Sequence, residues 1–367
     1  MRSYMLPAAR AMHRSHAFST SARLFSADLP ANTIATSFLA KFQSSGPQSR
    51  TQLLDANQLH LLARTLGRSS LDSGSYSHDE GSSNVSPPPS LSTPVPPGYH
   101  LVYFTPDFVE NELGADGTDT SYNPDSPFTR RMWAGGEVLW PRSADGNPNP
   151  LRVGQKVRET TRVLSAEAKT VRKTGEEMIV VGVEKEFSNE HGVAVLDRRN
   201  WIFRKALPPP SSPAPSVSSS MSPSTSHLTR ASASPISSNG NFHSRTFVQS
   251  PVTLFRFSAL TFNPHKIHYS LPWARDVEGH KDIVVHGPLN LILMLDLWRD
   301  VQSRKADAAA AAAGQGGPVP KSISYRATSP LYAGDEYQVI MQDGSDAAQL
   351  QILGPGGVVA MKAEIRG

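Results

Sequence analysis

Residues 284–298 read Val-Val-His-Gly-Pro-Leu-Asn-Leu-Ile-Leu-Met-Leu-Asp-Leu-Trp, and this stretch decides how the chain can fold. Gly287 and Pro288 suit the first turn of a helix, where a proline loses no hydrogen bond. The following residues are apolar on nearly every side, which is typical of a buried helix. The run 289–297 is shorter than the roughly 20 residues that a membrane helix needs, and it carries Asn290 and Asp296. The sequence therefore predicts a long helix inside a protein core.

The stretches after this helix are rich in β-branched residues and are separated by Gly-centred turns, which indicates antiparallel hairpins. These predicted strands are 323–327, 336–341, 348–353 and 358–365. An earlier block has the same plan. It consists of a helix-like segment at 130–140 around Gly135 and Gly136, and then strands at 156–163, 178–186 and 194–204.

A short internal match supports a repeat. Leu151-x-x-Gly154-x-x-Val157 has the spacing of Leu331-x-x-Gly334-x-x-Tyr337, and both precede long predicted strands. Two copies of one α+β unit are therefore expected. A long apolar helix followed by a twisted antiparallel sheet is buried in the concave face of that sheet, an architecture called hot dog. We predict an α+β double hot dog with two antiparallel sheets, each wrapped around a central helix.

Composition divides the chain into five parts. Residues 1–27 hold four arginines and many serines but no acid, the composition of a mitochondrial presequence, which predicts the mitochondrial matrix. Residues 28–97 are predicted as a helical extension, with a capping box at 55–58, and a Ser/Pro/Gly-rich linker. The first hot-dog repeat follows at 98–206, a disordered linker at 207–247 and the second repeat at 248–367. An Ala/Gly-rich insert at 306–320 is expected in place of a tight turn.

The overall composition excludes several classes of protein. There is no cysteine, and so neither a disulfide framework nor a thiolate nucleophile. The net charge of +4 includes the four presequence arginines, and basic and aromatic residues do not interleave elsewhere, so we expect no nucleic-acid partner. We also expect no membrane partner.

Candidate site residues lie in the segment 255–269, which places Asn263, His265 and His268 among apolar and aromatic neighbours. A run of this kind predicts burial, and a buried imidazole or amide costs free energy unless it is paired. These side chains are either structural and satisfied, or they line a pocket and do chemistry.

The five-residue spacing of Asn263 and His268 resembles the motif of MaoC-like (R)-specific enoyl-thioester hydratases, small-Gly-Asp-x-Asn-Pro-Leu-His. Asn263 falls on the Asp of the motif, His265 on the Asn, Ile267 on the Leu and His268 on the His.

The strings 255–269 and 284–289 look like those of the fungal mitochondrial 3-hydroxyacyl-thioester dehydratases of type two, and so do 97–104, 112–119 and 130–136. Mesaconyl-CoA hydratases share much of this pattern. The resemblance implies a hydro-lyase that dehydrates (3R)-hydroxyacyl thioesters, on acyl-carrier protein or CoA, to trans-2-enoyl thioesters in mitochondrial type II fatty-acid synthesis. It leaves open a hydratase of a short branched or dicarboxylic acyl-CoA, for which an Arg near the pocket would speak, and a non-catalytic thioester-binding protein.

The resemblance also implies roles for single residues. His268 would move the proton, Asn263 would orient water, and the backbone N–H of Gly287 at the helix start would stabilise the enolate-like oxygen. His265 would orient the water or Asn263. An amide is not a base, so Asn263 in the place of Asp puts the proton chemistry on His268. Ser270 stands where relatives are expected to have Asp, which leaves open which group hydrogen-bonds to His268 and orients it.

The histidines could also suggest a metal site. His265 and His268, with His280 and His286 nearby, have no cysteine and no convincing acidic third ligand, so we predict no metal. We also predict no cofactor. The first repeat has no corresponding Asn/His pair, and we expect it to be non-catalytic and to shape the acyl pocket. Because one chain holds both repeats, either a monomer or a homodimer is expected.

Overall fold

A computed structural model describes residues 29–71, 87–172, 174–207, 229–306 and 317–367. The predicted presequence lies outside the described residues, and so do the middle of the first predicted linker and residues 208–228 of the second. In the described part of the chain, no helix combines the length and the apolar character needed to cross a membrane.

Four helices and twelve strands form the described structure. The helices are α1 Ala31–Ser45, α2 Ala56–Thr65, α3 Pro251–Leu260 and α4 Gly287–Lys305. The strands of the first half are β1 Gln48–Leu53, β2 Arg130–Leu139, β3 Lys156–Thr170, β4 Glu177–Asn189 and β5 Gly192–Arg204. Those of the second half are β6 Ser232–Ala233, β7 Ser237–Asn239, β8 Phe242–Val248, β9 Ser322–Ala327, β10 Glu336–Gln342, β11 Ala348–Leu353 and β12 Val359–Arg366.

The strands form one continuous sheet in the order β1-β3-β4-β5-β2-β9-β12-β11-β10-β8-β6, and β7 pairs with β8. The halves β1-β3-β4-β5-β2 and β9-β12-β11-β10-β8 have the same topology and are joined edge to edge by antiparallel pairing of β2 with β9. The α+β double hot dog is therefore confirmed, with the two predicted sheets fused into one.

The matched Leu-x-x-Gly strings occupy equivalent positions in the two halves. Gly154 and Gly334 have φ values of +85° and +80°, a conformation that favours glycine. Each N–H donates to the carbonyl of the residue directly after the first strand of its half, Leu54 at 2.8 Å and Gln249 at 2.9 Å. The same turn thus closes both halves, and the internal repeat has a structural basis.

The central helix α4 is buried along most of its length, including two aspartates. Arg68, three residues after the end of α2, pairs with Asp296 and with Asp300, each at 2.9 Å. Arg245 on β8 also reaches Asp300, at 2.9 Å, and Arg299 reaches Asp296. Buried charges of this kind need partners, so the N-terminal extension is tied to the core of the second half.

The first half differs from the prediction because the segment 130–140 is strand β2 and not a helix. Gly135 and Gly136 allow β2 to pack closely between two strands. A Cβ on Gly135 would lie 2.5 Å from the Tyr325 carbonyl oxygen, and one on Gly136 would overlap the Arg198 carbonyl. The described part of the segment between α2 and β2 has only short 3₁₀ turns at 99–102 and 110–112.

Helix α1 covers one end of the first half. Ile34 and Phe38 pack there in a separate apolar cluster with Val181 and Phe203. In the described residues no long helix fills the rest of this concave face, and it remains partly open.

Two predicted boundaries were wrong. Strand β1 lies within the range 28–97 that we predicted as a helical extension and linker, and β8 with β6 and β7 lies within the predicted linker 207–247. β1 is a polar edge strand with mostly exposed side chains. The inward side of β8 includes His243 and Arg245. Neither strand has the apolar alternation that marks a strand in sequence. The Ala/Gly-rich insert joins α4 to β9, with residues 307–316 outside the described residues.

Candidate active site

The segment 255–269 is not a continuous buried run as predicted. Its first part is the end of α3, where the helical period turns Phe255 outward, and that residue is 63% exposed. Phe262 is 57% exposed. His265 and His268 are both 8% exposed; His265 directly precedes a short 3₁₀ turn, Lys266–His268, and His268 is its last residue.

His268 is held as a neutral base. Its Nδ1 lies 2.8 Å from the Val284 carbonyl oxygen, which can only accept, so Nδ1 carries the proton and Nε2 keeps its lone pair. Burial, with the nearby His265 and His280, lowers the pKa of His268 to about 3. The group that hydrogen-bonds to His268, which the sequence with Ser270 did not identify, is thus the backbone carbonyl of Val284.

The start of α4 lies against this histidine. His286, the residue before the helix, stacks on His268 with ring centroids 3.6 Å apart, and its Nε2 lies 2.9 Å from Ser258 Oγ. Burial lowers the pKa of His286 well below its ordinary value. Gly287 begins α4, so its N–H belongs to the unpaired donors of a helix N-terminus. The ring of Trp133 on β2 covers the Gly287 Cα and stacks on Tyr325.

Asn263 shapes the turn that carries the two histidines. Its Oδ1 accepts a hydrogen bond from the backbone N–H of His265 at 3.2 Å. The residue lines the same cavity as His265, His268 and Gly287, so the structure brings together all four residues that were predicted for the site.

Two carboxylates that were not predicted lie beside His265. Its Nε2 is 3.8 Å from Asp116 Oδ2 and 4.0 Å from Glu278 Oε1. The sequence predicted no convincing acidic partner for these histidines, and the structure supplies two. Asp116 belongs to the first half and lies within the string 112–119, whose family resemblance was the only signal for it.

A close backbone contact brings Asp116 to the site. The Lys266 N–H donates to the Asp116 carbonyl at 2.8 Å. A Cβ on Gly117, whose φ is +85°, would overlap the Pro264 carbonyl oxygen. Only glycine fits this approach, which docks the loop of the first half on the turn that carries the histidines.

One cavity of about 1040 Å³ joins the site to the open concave face of the first half. The second half lines one end with His268, His286 and Gly287, and the first half lines the other with Lys185, Arg199 and Trp201. The missing helix of the first half therefore leaves room for an elongated ligand.

Charged side chains line the first-half end of the cavity. Glu159 lies 3.1 Å from Lys185 and 3.3 Å from Arg50, and Asp197 lies 2.9 Å from Arg199 Nε. Burial and the neighbouring Arg199 and Arg50 lower the pKa of Lys185 although Glu159 opposes this. Arg50, Lys185, Arg199 and Glu159 line the cavity here, and Asp197 contacts it through Arg199.

Comparison with known proteins shows the relationships of the chain. Residues 98–333 match the family profile of hydroxyacyl-thioester dehydratase type 2. A mesaconyl-C(4)-CoA hydratase of Chloroflexus aurantiacus is 28% identical over 279 residues, which cover 76% of this chain and 85% of that protein. The mitochondrial hydroxyacyl-thioester dehydratase type 2 of Schizosaccharomyces pombe is 26% identical over 234 residues, covering 57% and 68%.

Among solved structures, a MaoC-like dehydratase from Phytophthora capsici superposes with a TM-score of 0.54 at 16% identity, over 89% of this chain and 97% of that one. This likeness supports the fold alone. The profile match spans most of the chain, including the segments that carry His265, His268 and Gly287. The chain therefore belongs to the hydroxyacyl-thioester dehydratase type 2 family, and it is a hydro-lyase that acts on acyl thioesters.

Proposed function

We propose that the protein interconverts (3R)-3-hydroxyacyl thioesters and trans-2-enoyl thioesters, and that it works as a dehydratase in mitochondrial type II fatty-acid synthesis. The observation that carries this proposal is the pairing of a neutral His268, with a free Nε2, and the N-terminus of α4 in one cavity.

In the dehydration direction, His268 Nε2 takes the proton from Cα of the bound thioester. Negative charge then develops on the thioester oxygen, and the Gly287 N–H stabilises it as a preorganised donor at a helix N-terminus. The hydroxyl group leaves from Cβ, near Asn263 and His265. The acyl chain extends into the open face of the first half, which shapes the pocket without supplying this base.

The mitochondrial matrix is the proposed location. The yeast relative is named as a mitochondrial protein, and the Arg-rich, acid-free composition of residues 1–27 is consistent with a presequence. Acyl-carrier protein is the proposed carrier of the substrate, with CoA as the alternative.

The test is hydration of crotonyl-CoA by the full chain, followed by the loss of thioester absorbance. His268→Ala is expected to lower kcat by about 10²–10⁴-fold, the contribution of a positioned acid–base group. His191→Ala, an exposed histidine on the first half, is the matched control. Undiminished activity in His268→Ala would exclude this site, and thioester binding without turnover by the wild-type protein would point to a binding protein.

A second candidate substrate is a short acyl-CoA with a terminal carboxylate. The basic side chains that line the first-half end favour it, because Lys185 and Arg199 could bind a ligand carboxylate. The relative named as a mesaconyl-C(4)-CoA hydratase makes this class a natural comparison. A purely apolar acyl chain would instead lie against Lys185 and Arg199.

Kinetics with matched substrates separates the two candidates. An enoyl-CoA with a terminal carboxylate is compared with its methyl-ended analogue and with octenoyl thioesters on CoA and on acyl-carrier protein. If the protein binds the terminal carboxylate, Lys185→Met should raise the KM of the carboxylate-ended substrate and leave the KM of its methyl-ended analogue unchanged. Lys362→Met, at an exposed position, should change neither KM. A higher kcat/KM for the octenoyl thioester of acyl-carrier protein would support the role in fatty-acid synthesis.

A further inference from the structure

We propose that Asp116, His265 and Glu278 together hold the water molecule that is added or eliminated, and that His265 is the second acid–base group of the reaction. This inference rests on the proposed role of His268 as the base at Cα. It assigns roles to two carboxylates that nothing in the sequence motif supplies.

The first observation is the environment of His265. The residue is 92% buried, since only 8% of it is exposed, and among the described residues its Nε2 has no hydrogen-bond partner. A buried polar atom without a partner is costly in a folded protein. Nε2 faces Asp116 Oδ2 and Glu278 Oε1, so a polar group placed among the three atoms would satisfy it.

The spacing of the three atoms leaves room for one small ligand among them. All three lie within 4.8 Å of one another, and the histidine is 3.8 Å and 4.0 Å from the carboxylates. Tetrahedral hydrogen bonds of about 2.8 Å place two partners of one water about 4.6 Å apart. Zinc bonds of about 2.0–2.1 Å would draw two ligands to about 3.4 Å. The two printed histidine separations lie between these values, so the metal content of the purified protein is part of the test below.

The chemistry of the three groups fixes how a water would be oriented. Ionised carboxylates only accept hydrogen bonds, so the water donates its two hydrogens to Asp116 and Glu278. Its lone pair accepts from Nε2–H of His265 while that nitrogen is protonated, and once Nε2 has given up its proton one hydrogen of the water donates to Nε2 in place of a carboxylate. Other groups hold the carboxylates: Thr118 donates to Asp116 Oδ1, while Trp273 and Arg130 contact Glu278.

A second acid is required because His268 cannot serve both ends of the reaction. Its Nε2 carries no proton in the resting state, and the Asn263 amide is no acid. In dehydration the Cα–H bond breaks, with the proton going to His268, and the electron pair forms the double bond. The Cβ–O bond breaks and the hydroxyl takes the Nε2 proton of His265, which enters the step as an imidazolium and leaves it as a neutral imidazole, and this completes the water. The ring of His265 lies 5.3 Å from that of His268, and solvent returns the proton from His268 to His265 before the next turnover.

In hydration the same atoms work in reverse. With Nε2 of His265 unprotonated and His268 protonated by solvent, the water oxygen attacks Cβ, one water proton passes to Nε2 of His265, and His268 delivers its proton to Cα. Both groups lie on one turn, so both proton transfers take place on one face of the double bond, as syn addition needs. The titratable and charged groups near His265 are Asp116, Glu278, Arg130 through Glu278, His268 and His280.

The decisive experiment separates the chemistry at Cβ from that at Cα. Butyryl-CoA has no Cβ hydroxyl, so exchange of its α-protons in D₂O needs His268 and Gly287 but not the water site. His265→Ala is expected to lower kcat for crotonyl-CoA hydration by about 10²–10⁴-fold, and the isosteric Asp116→Asn by about 10-fold. Both are expected to keep the butyryl-CoA exchange rate. The exposed Asp276→Asn, next to the Glu278 turn, removes the same charge and should change neither rate.

Three results would overturn the water site. Asp116→Asn and His265→Ala could hydrate crotonyl-CoA at the wild-type rate. They could lose exchange in parallel with hydration, as a collapsed site would. The purified protein could retain a stoichiometric divalent metal whose removal abolishes hydration. Exchange that survives in His268→Ala would instead refute the proposed base at Cα, while the hydration rate of Asp116→Asn would still decide the water site.

Discussion

Gly287→Ala tests whether the tight contact at the start of α4 is needed for stability and catalysis. A Cβ at this position would lie 2.7 Å from Trp133 Cζ3 and closer still to Cε3, whereas ordinary contact begins at 3.4 Å. The ring or the helix start must therefore shift by more than 0.7 Å, the difference of those two distances. Trp133 cannot move freely, because it is stacked on Tyr325 with ring centroids 4.7 Å apart.

The expected magnitude follows from two opposing effects. Overpacking of a tight core costs about 1–3 kcal/mol, while alanine in place of glycine in a helix returns about 0.5–1 kcal/mol. We expect the free energy of unfolding to fall by about 1–2 kcal/mol. Because Gly287 also supplies the proposed oxyanion donor, kcat should fall by about 10²–10³-fold if its N–H is displaced.

Urea unfolding and crotonyl-CoA hydration of Gly287→Ala, Trp133→Leu and the double variant measure both effects. If the clash is the cause, the smaller leucine relieves it, and the double variant is more stable than the sum of the single losses predicts by about 0.5–3 kcal/mol. A Gly287→Ala protein with wild-type stability and kcat would refute the reasoning. Additive losses would show that Trp133 is not what the new methyl group meets.

Three further predictions concern stability. Arg68→Met should lower the free energy of unfolding by about 3–5 kcal/mol, because it leaves two buried aspartates of α4 short of a partner; urea unfolding, with the exposed Arg366→Met as control, checks this. The pKa of His268 is depressed to about 3, against roughly 6.5 in an unfolded chain. This contribution to the free energy of unfolding should therefore be fully present above about pH 6.5. It should fall as the pH drops from about 6.5 toward 3, the range in which only the unfolded chain binds the proton. The slope of stability against pH should be shallower in His268→Gln. Asp55→Ala removes the side chain that accepts from the Gln58 N–H at the start of α2 and should cost about 1 kcal/mol in thermal unfolding.

The parts of the fold that could be predicted are those in which local pattern and tertiary burial agree. Strands β9 to β12 were found because they are rich in β-branched residues and are separated by Gly-centred turns, and α4 because Gly287 and Pro288 mark its start. The Leu-x-x-Gly strings were informative because a positive φ at Gly154 and Gly334 requires glycine in both halves.

The errors arose where contacts between residues distant in sequence, and not local pattern, determine the structure. Strand β2 carries Arg130, Trp133 and two glycines, and what makes it a strand is its position between β5 and β9, which no local pattern reports. β8 is hidden because the partners of His243 and Arg245 are distant in sequence. The carboxylates of Asp116 and Glu278 were missed for the same reason: each approaches His265 through the tertiary fold.

The joint between the halves therefore bears on catalysis as well as on architecture. Asn263 stands where the MaoC-like motif has Asp, so this position supplies no carboxylate beside His268. A proton must still reach the oxygen that leaves Cβ. The loop of the first half is pressed against that turn at Gly117, so close that no side chain fits, and it presents Asp116 to His265. If His268 carried the chemistry alone, Gly117 could be replaced with a loss of stability only. If the water site is right, Gly117→Ala should reduce hydration far more than butyryl-CoA exchange, because it moves the carboxylate of the first half away from Cβ while leaving His268 and Gly287 in place.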